Sequence, residues 1–214
     1  MTTFENLLET DLERRDDSWE RDFLKAFPSA RVKVLNPEPQ VGPDHWPYLL
    51  TTTEAADDTA PSILTWLSTR GIGLVLNPQK PHPDYVLSYG MIWNFRERGE
   101  FLSLGATGEK PASNRFDIKP GQELMAGAPS EAFLPKYVRS VIRQFLADQG
   151  VFTPKVLMIS ADKVNYDLCF SIESLKSPPT HEHANIAEAL SWFLPAHYTV
   201  ALVSEKTVSG FVSL

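Results

Sequence analysis

The chain has 214 residues, enough for one large domain or two small ones. Its 43% hydrophobic and 22% charged residues are ordinary globular proportions, which exclude wholesale disorder. The net charge of −7 falls as −6 on residues 1–128 and −1 on residues 129–214, which argues against nucleic acid and anionic membranes as main partners.

The N-terminus, Met1-Thr2-Thr3-Phe4-Glu5, has no basic stretch followed by an apolar run, so it does not read as a signal peptide. Residues 4–27 read as helical. Phe4, Leu7, Leu8 and Leu12 keep helical spacing, Asp17 and Glu20 resemble a capping box, and Phe23, Leu24 and Phe27 form a second stripe stopped by Pro28. Arg31–Asn36 alternates as a strand does, and Pro47–Thr53 is rich in β formers. A short helix is expected over 61–69, with Pro61 near its start and Gly71 ending it. The apolar run Gly71-Ile72-Gly73-Leu74-Val75-Leu76-Asn77-Pro78 reads as a buried strand. It echoes Val34-Leu35-Asn36-Pro37 too briefly to be a repeat. Tyr85–Phe95 and Glu100–Leu104 read as a hairpin turning at Arg98-Gly99, with Tyr85, Tyr89, Trp93 and Phe95 on one face. Residues 105–121 read as a loop, and Gln122–Ala126 as an added strand.

A boundary is expected at Gly127-Ala128-Pro129. After it, Leu134, Tyr137, Val138, Val141, Ile142, Phe145 and Leu146 repeat at 3, 4, 7 and 8, the pattern of an amphipathic helix between Ser130 and Gly150. Lys155–Ala161 and Asn165–Ser174 form a hairpin pattern. A second helix spans about 181–194, and strands 198–203 and 207–214 follow. The expected fold is α+β, with mixed or antiparallel sheets and helices packed on one face. It has two modules, an N-terminal α+β module (1–128) and a C-terminal αββαββ module (129–214).

Motifs that carry chemistry are sparse. Cys169 lies in the apolar run Tyr166–Phe170 and reads as a core thiol, with no base beside it. His181 and His183 are two apart, about 200° around a helix, so they cannot share a metal from one face. Gly71-Ile72-Gly73 lacks the third glycine of a dinucleotide loop and precedes its strand rather than following one. No cofactor or metal is expected. His45 and Trp46, in a Pro-rich connection, are candidate partner-binding residues. Lys136, Arg139 and Arg143 lie opposite the apolar face of their helix, as a solvated stripe or a site for an acidic partner. An enzymatic site could assemble only in three dimensions, for instance from His45, His82, Asp84 and Arg96.

Three stretches carry a family resemblance. Phe4-Glu5-Asn6-Leu7-Leu8 with the break at Asp16-Asp17, then Tyr48–Glu54, then Gly71–Pro78 with its Leu-Asn-Pro end, resemble the N-terminal part of the enhanced-serine-sensitivity (SseB-type) family. Leu134–Gln149, Tyr166-Asp167-Leu168, Ala187–Leu190 and Tyr198-Thr199-Val200 resemble that family's C-terminal domain. The resemblance implies a bacterial cytoplasmic protein and implies no catalytic residues. The expected function is a non-enzymatic binding or adaptor role, in which an aromatic face of the N-terminal module meets a protein partner or small metabolite. An enzyme, or a protective partner of a secretion or toxin system, is the alternative.

The charge balance yields one direct test. At about 0.15 M salt the chain should show no duplex DNA affinity in the roughly 10⁻⁴–10⁻⁶ M range typical of nonspecific binders. Salt-sensitive binding in that range by fluorescence anisotropy would overturn the exclusion of nucleic acid.

Overall fold

The computed structural model describes residues 3–102, 124–160 and 166–214. They divide into two compact units that meet in the chain at Phe101-Leu102. No helix among the described residues is long and apolar enough to cross a membrane.

The first unit opens with α1 (Phe4–Leu8) and α2 (Asp17–Ala26). The cap of α2 is Asp16, one residue before the expected Asp17. Its carboxylate accepts the N–H groups of Ser18 and Trp19, which holds it below the usual carboxylate range. Glu20 is therefore not half of a capping box. Its carboxylate accepts the Tyr85 hydroxyl at 2.6 Å. Burial first, and then Glu20, push that phenol upward, so it stays a donor.

Strands β1 (Arg31–Val34), β2 (Gln40–Val41), β3 (Pro47–Thr52) and β4 (Asp58–Thr59) precede α3 (Ala60–Leu67), β5 (Gly73–Leu76), β6 (Tyr85–Leu87) and α4 (Tyr89–Arg98). The sheet order is β4-β1-β3-β5-β6, with β2 also on β3. β3 and β5 are parallel across α3, and the other pairings are antiparallel. All four residues of β5 are buried, as a continuous apolar run between neighbours requires. Gly73 is needed there for space. A Cβ would lie 2.6 Å from the Tyr48 ring and 2.7 Å from the Leu87 carbonyl oxygen. The Gly-rich start of this strand is a packing device, not a phosphate loop.

Residues 89–98 correct the expected hairpin. They are helical, capped by the Ser88 hydroxyl and ended by Gly99 at φ 75°. Tyr89 and Trp93 are four apart, so they share a helix face, and both are 0% exposed. Glu100–Leu104 forms no partner strand over the residues described, and Ser103-Leu104 lies outside them with the loop expected at 105–121. The aromatics of this unit pack on one another. Phe23 stacks on Trp19, Phe27 and Tyr85 with centroids 5.0, 5.8 and 4.8 Å away, and Phe95 stacks on Phe101 at 4.5 Å. They contribute to the core of the unit, while Trp66 is 42% exposed.

The second unit contains β7 (Met125–Gly127), α5 (Lys136–Asp148), β8 (Lys155–Ser160), β9 (Asp167–Ser171), α6 (His183–Ser191), β10 (Thr199–Val203) and β11 (Val212–Ser213). Its sheet order is β10-β9-β8-β11, with β7 also on β8. Because β7 pairs with β8, residues 125–127 belong to the second unit, and the boundary lies upstream of 129. β10 runs parallel to β9, and the end of the chain pairs only at Val212-Ser213. Both faces of the sheet are buried. Leu157, Ile159, Cys169, Ala201 and Val203 share one face, covered by Leu124, Val208 and Phe211. Val156, Leu168, Phe170 and Val200 occupy the other at 1% exposure or less.

The two units repeat one topology. In each, a helix leads into two antiparallel strands, and a second helix then crosses to a third strand parallel to the second. The series are α2-β1-β3-α3-β5 and α5-β8-β9-α6-β10. They differ in the last strand. β6 adds beyond β5, whereas β11 adds on the far side of β8. The echo between residues 34–37 and 75–78 is not this repeat, because both copies fall in the first unit.

Helix α5 buries Leu134 (in the turn before it), Val138, Ile142 and Leu146, each at 4% exposure or less. Tyr137, Val141 and Phe145 flank this row half-buried, so Val141 is less covered than its pattern suggests. Ser130 caps the preceding turn at Phe133 rather than the helix itself. Gly150, at φ 79°, ends α5 by donating to Ala147 while Val151 donates to Leu146. Ile142→Ala should cost about 2–5 kcal/mol, since it empties part of a packed core. Arg143→Ala should cost on the order of 1 kcal/mol, for the loss of its hydrogen bond to the Leu214 carbonyl. Equal losses in denaturant unfolding would mean that the helix is packed on both faces.

Candidate functional site

Ligands of open α/β sheets favour a crevice outside the carboxyl ends of parallel strands. In the first unit the crevice lies beyond β3 and β5. It is a cleft of about 800 Å³. One wall is α1 and the residue after it, through Phe4, Glu5, Leu8 and Glu9. The other is the two strand ends, through Thr53, Glu54 and Ala56 after β3 and Asn77, Gln79 and Lys80 after β5. Ser29, Ala30 and Arg31, leading into β1, complete the lining. Apolar side chains, three carboxylates, two cations, amides and hydroxyls thus face one space.

The strand-end wall is held by Asn77. Its φ of 53° is left-handed, a conformation that asparagine tolerates better than most residues. The side chain is used at both ends. Oδ1 accepts the Thr53 N–H and hydroxyl at 2.9 and 3.3 Å, and Nδ2 donates to Thr53 Oγ1 and Asp84 Oδ2 at 3.1 and 2.6 Å. Asn77 therefore ties the exit of β3 to the exit of β5. Pro78 follows it and prevents strand continuation.

Asp84 is the hub behind the wall. Its side chain is 1% exposed. Oδ1 accepts Arg15 Nη2 at 2.9 Å, while Oδ2 accepts Lys80 Nζ and Asn77 Nδ2, each at 2.6 Å. Burial alone would raise the pKa of this carboxyl. The bonds from Lys80, Asn77 and Arg15 together outweigh burial and hold it below the usual aspartate range. Arg15 also donates to the carbonyls of Asp84, Leu8 and Thr10. One buried carboxylate thus joins both walls of the cleft.

The second unit ties its equivalent strand ends with different residues. Glu173, just past β9, accepts the Ser204 hydroxyl and the Glu205 N–H just past β10. Glu205 in turn accepts the Ser171 hydroxyl at 2.6 Å and Lys155 Nζ at 2.9 Å. Hydrogen bonding to Ser204, and to Ser171 and Lys155, holds both carboxyls below their usual range.

The residues expected from sequence to form a site are placed as follows, each within its own unit. His45, at φ 67°, and half-buried Trp46 shape the β2–β3 turn, where the Asp44 carboxylate accepts the Trp46 N–H and the Tyr48 hydroxyl. Lys136 is exposed and pairs with Glu131 at 3.4 Å. Arg139 donates to the carbonyls of Leu134, Pro129 and Ser130, closing the turn before α5. Arg143 donates to Leu214 and Ser140. Arg139 and Arg143 are therefore structural donors rather than a purely solvated stripe. Of the four residues offered for an assembled enzyme site, Asp84 is held as described, Arg96 donates to the Ser68 hydroxyl, and His82 is exposed. The Cys169 thiol is pushed up to about 12 by burial and by Asp167, so it is not a thiolate nucleophile near neutral pH. His181 lies beside Glu182 at 3.8 Å, while His183 meets the Pro178 carbonyl. Among the described residues no three metal-binding side chains cluster.

Comparison with family models, curated proteins and solved structures finds no match.

The depressed pKa of Asp84 has a pH consequence. Its stabilisation is present above the unfolded-state value near 3.8 and is lost as pH falls through the lower native value. Asp84→Asn should therefore destabilise the protein most near neutral pH. The difference from wild type should shrink below about pH 4. Thermal unfolding of both proteins across pH 3–7 checks this, and a constant difference would show that the charge of Asp84 contributes nothing.

Proposed function

We propose that this chain is a non-enzymatic binding or adaptor protein of the SseB type, working in the bacterial cytoplasm, and that the cleft of its first unit takes the ligand or partner side chains. The observation that carries this reading is the use made of the buried polar groups around the cleft. Asn77, Asp84 and Arg15 are spent on one another and on the backbone, so they set a shape. A catalytic group needs an open position toward a reacting atom. Besides Asn77, the cleft lining carries Glu5, Glu9, Glu54, Arg31, Gln79 and Lys80, of mixed charge, and Phe4, Leu8 and Ala56 supply apolar contact. That combination suits recognition of an amphipathic small molecule or of side chains of a protein partner.

The Leu-Asn-Pro turn that carries the resemblance places its asparagine between the two strand ends. A cleft in which at least two residues such as His45, His82, Asp84 and Arg96 converge would favour the enzyme alternative. Asp84 and Arg96 instead hold different partners, Arg15 and Ser68 among them.

Ala56→Trp tests the cleft by filling it. Affinity capture by the full chain, with protein and small-molecule mass spectrometry, should recover a binder that the Ala56→Trp protein retains at least about tenfold less well, a loss of roughly 1.4 kcal/mol. Equal retention by both proteins would place binding elsewhere. Conversion of the recovered molecule by the purified chain would overturn the non-enzymatic reading.

A further inference from the structure

Helix α1 forms a wall of the cleft but contributes little to its own stability. It has five residues, far below the roughly 12–15 that an isolated helix needs in water. Its only buried side chain is Leu7, while Phe4 leans on the Phe23 and Phe27 rings at 5.4 and 6.0 Å. The carbonyls at its end are met by side chains from further along the chain. Trp19 Nε1 donates to Leu7, Arg15 Nη2 to Leu8 and Arg15 Nε to Thr10. Arg15 is 11% exposed and lies 4.6 Å over the Trp19 ring.

We propose that α1 is a hinged flap over the cleft and that the Arg15–Asp84 pair is its latch. The division of labour at Asp84 motivates this. Oδ1 faces the flap through Arg15, whereas Oδ2 faces the strand ends through Lys80 and Asn77. Lys80 both lines the cleft and bonds to Asp84, so an occupant with a carboxylate or phosphate group reaches the latch through it. Drawing Lys80 away leaves Asp84 more dependent on Arg15 and tightens the closed flap. Arg15 is a positioning residue here, since it lines no part of the cleft. The flap rests on the reading of this cleft as the binding site, but its latch can be tested without any ligand.

Hydrogen–deuterium exchange of the full chain, read on peptides covering residues 4–10 and 47–52, is the test. Arg15→Lys keeps the charge beside Asp84 but cannot also reach the Leu8 and Thr10 carbonyls. In that protein the α1 peptide should exchange at least about tenfold faster, as the loss of one or two hydrogen bonds implies, while β3 keeps its protection. Asp84→Asn should release α1 too, together with the strand ends that Asp84 also holds, so selectivity is read on Arg15→Lys. Unchanged exchange in α1, or equal acceleration of α1 and β3 in Arg15→Lys, would overturn the latch. Because no ligand is present, either result leaves the Ala56→Trp capture experiment to decide the cleft itself.

Discussion

The first unit depends on one buried carboxylate. Asp84 sits where β5 has ended and β6 has not begun, with its N–H donating to Leu76 and its side chain almost wholly out of water. An isolated charge in that place would be costly. Three donors on two separate segments satisfy it, and those segments are then fixed to each other. The N-terminal helices are held at Arg15, 69 residues away in the chain, and the turn after β5 is held at Asn77 and Lys80. The shape of the cleft follows from this, because its two walls are the segments that Asp84 joins.

The same problem recurs in the second unit with other chemistry. Two parallel strands leave the sheet together, and their carboxyl ends expose backbone groups that need partners. The first unit uses an amide in a left-handed turn. The second uses two glutamates with serine hydroxyls and a lysine. An αββαβ frame shared by both units therefore has unlike strand ends. The first unit adds a short helix over its strand ends, and that helix makes a cleft there. Topology repeats because antiparallel pairing followed by a parallel crossover is an economical way to bury two helices on a small sheet.

Aromatic residues show how a pattern can be right about burial and wrong about structure. Tyr85, Tyr89 and Trp93 recur every four residues, which places them on one face of a helix. Their odd positions also place them on one face of a strand. β propensity of Tyr, Ile and Trp favoured the strand. The helix prevailed because Ser88 caps it, Gly99 ends it, and Tyr89, Ile92 and Trp93 can then all bury at once. The two punctuating residues were visible in the sequence, and local propensity outweighed them. The arginines of α5 mislead in a similar way. They lie off the apolar stripe, but Arg139 and Arg143 bend back to carbonyls that periodicity cannot display.

Residue pattern alone pointed to the α+β class, two units, the strands that the structure bounds at 31–34, 47–52, 73–76, 155–160, 167–171 and 199–203, and the buried row of α5. These follow from burial of apolar residues at periods of 2 and 3.6, which is a local property. Leu-Asn-Pro could be singled out as pointed, and Lys80 and Asp84 are one helical turn apart in number, but nothing local connects either to Arg15. The parallel pairing of β3 with β5 and of β9 with β10, the transfer of residues 125–127 to the second sheet, and the cleft arise from contacts between distant segments. Only the tertiary structure could decide them, because which donor satisfies a buried carboxylate depends on where the chain returns, not on what stands beside it in sequence.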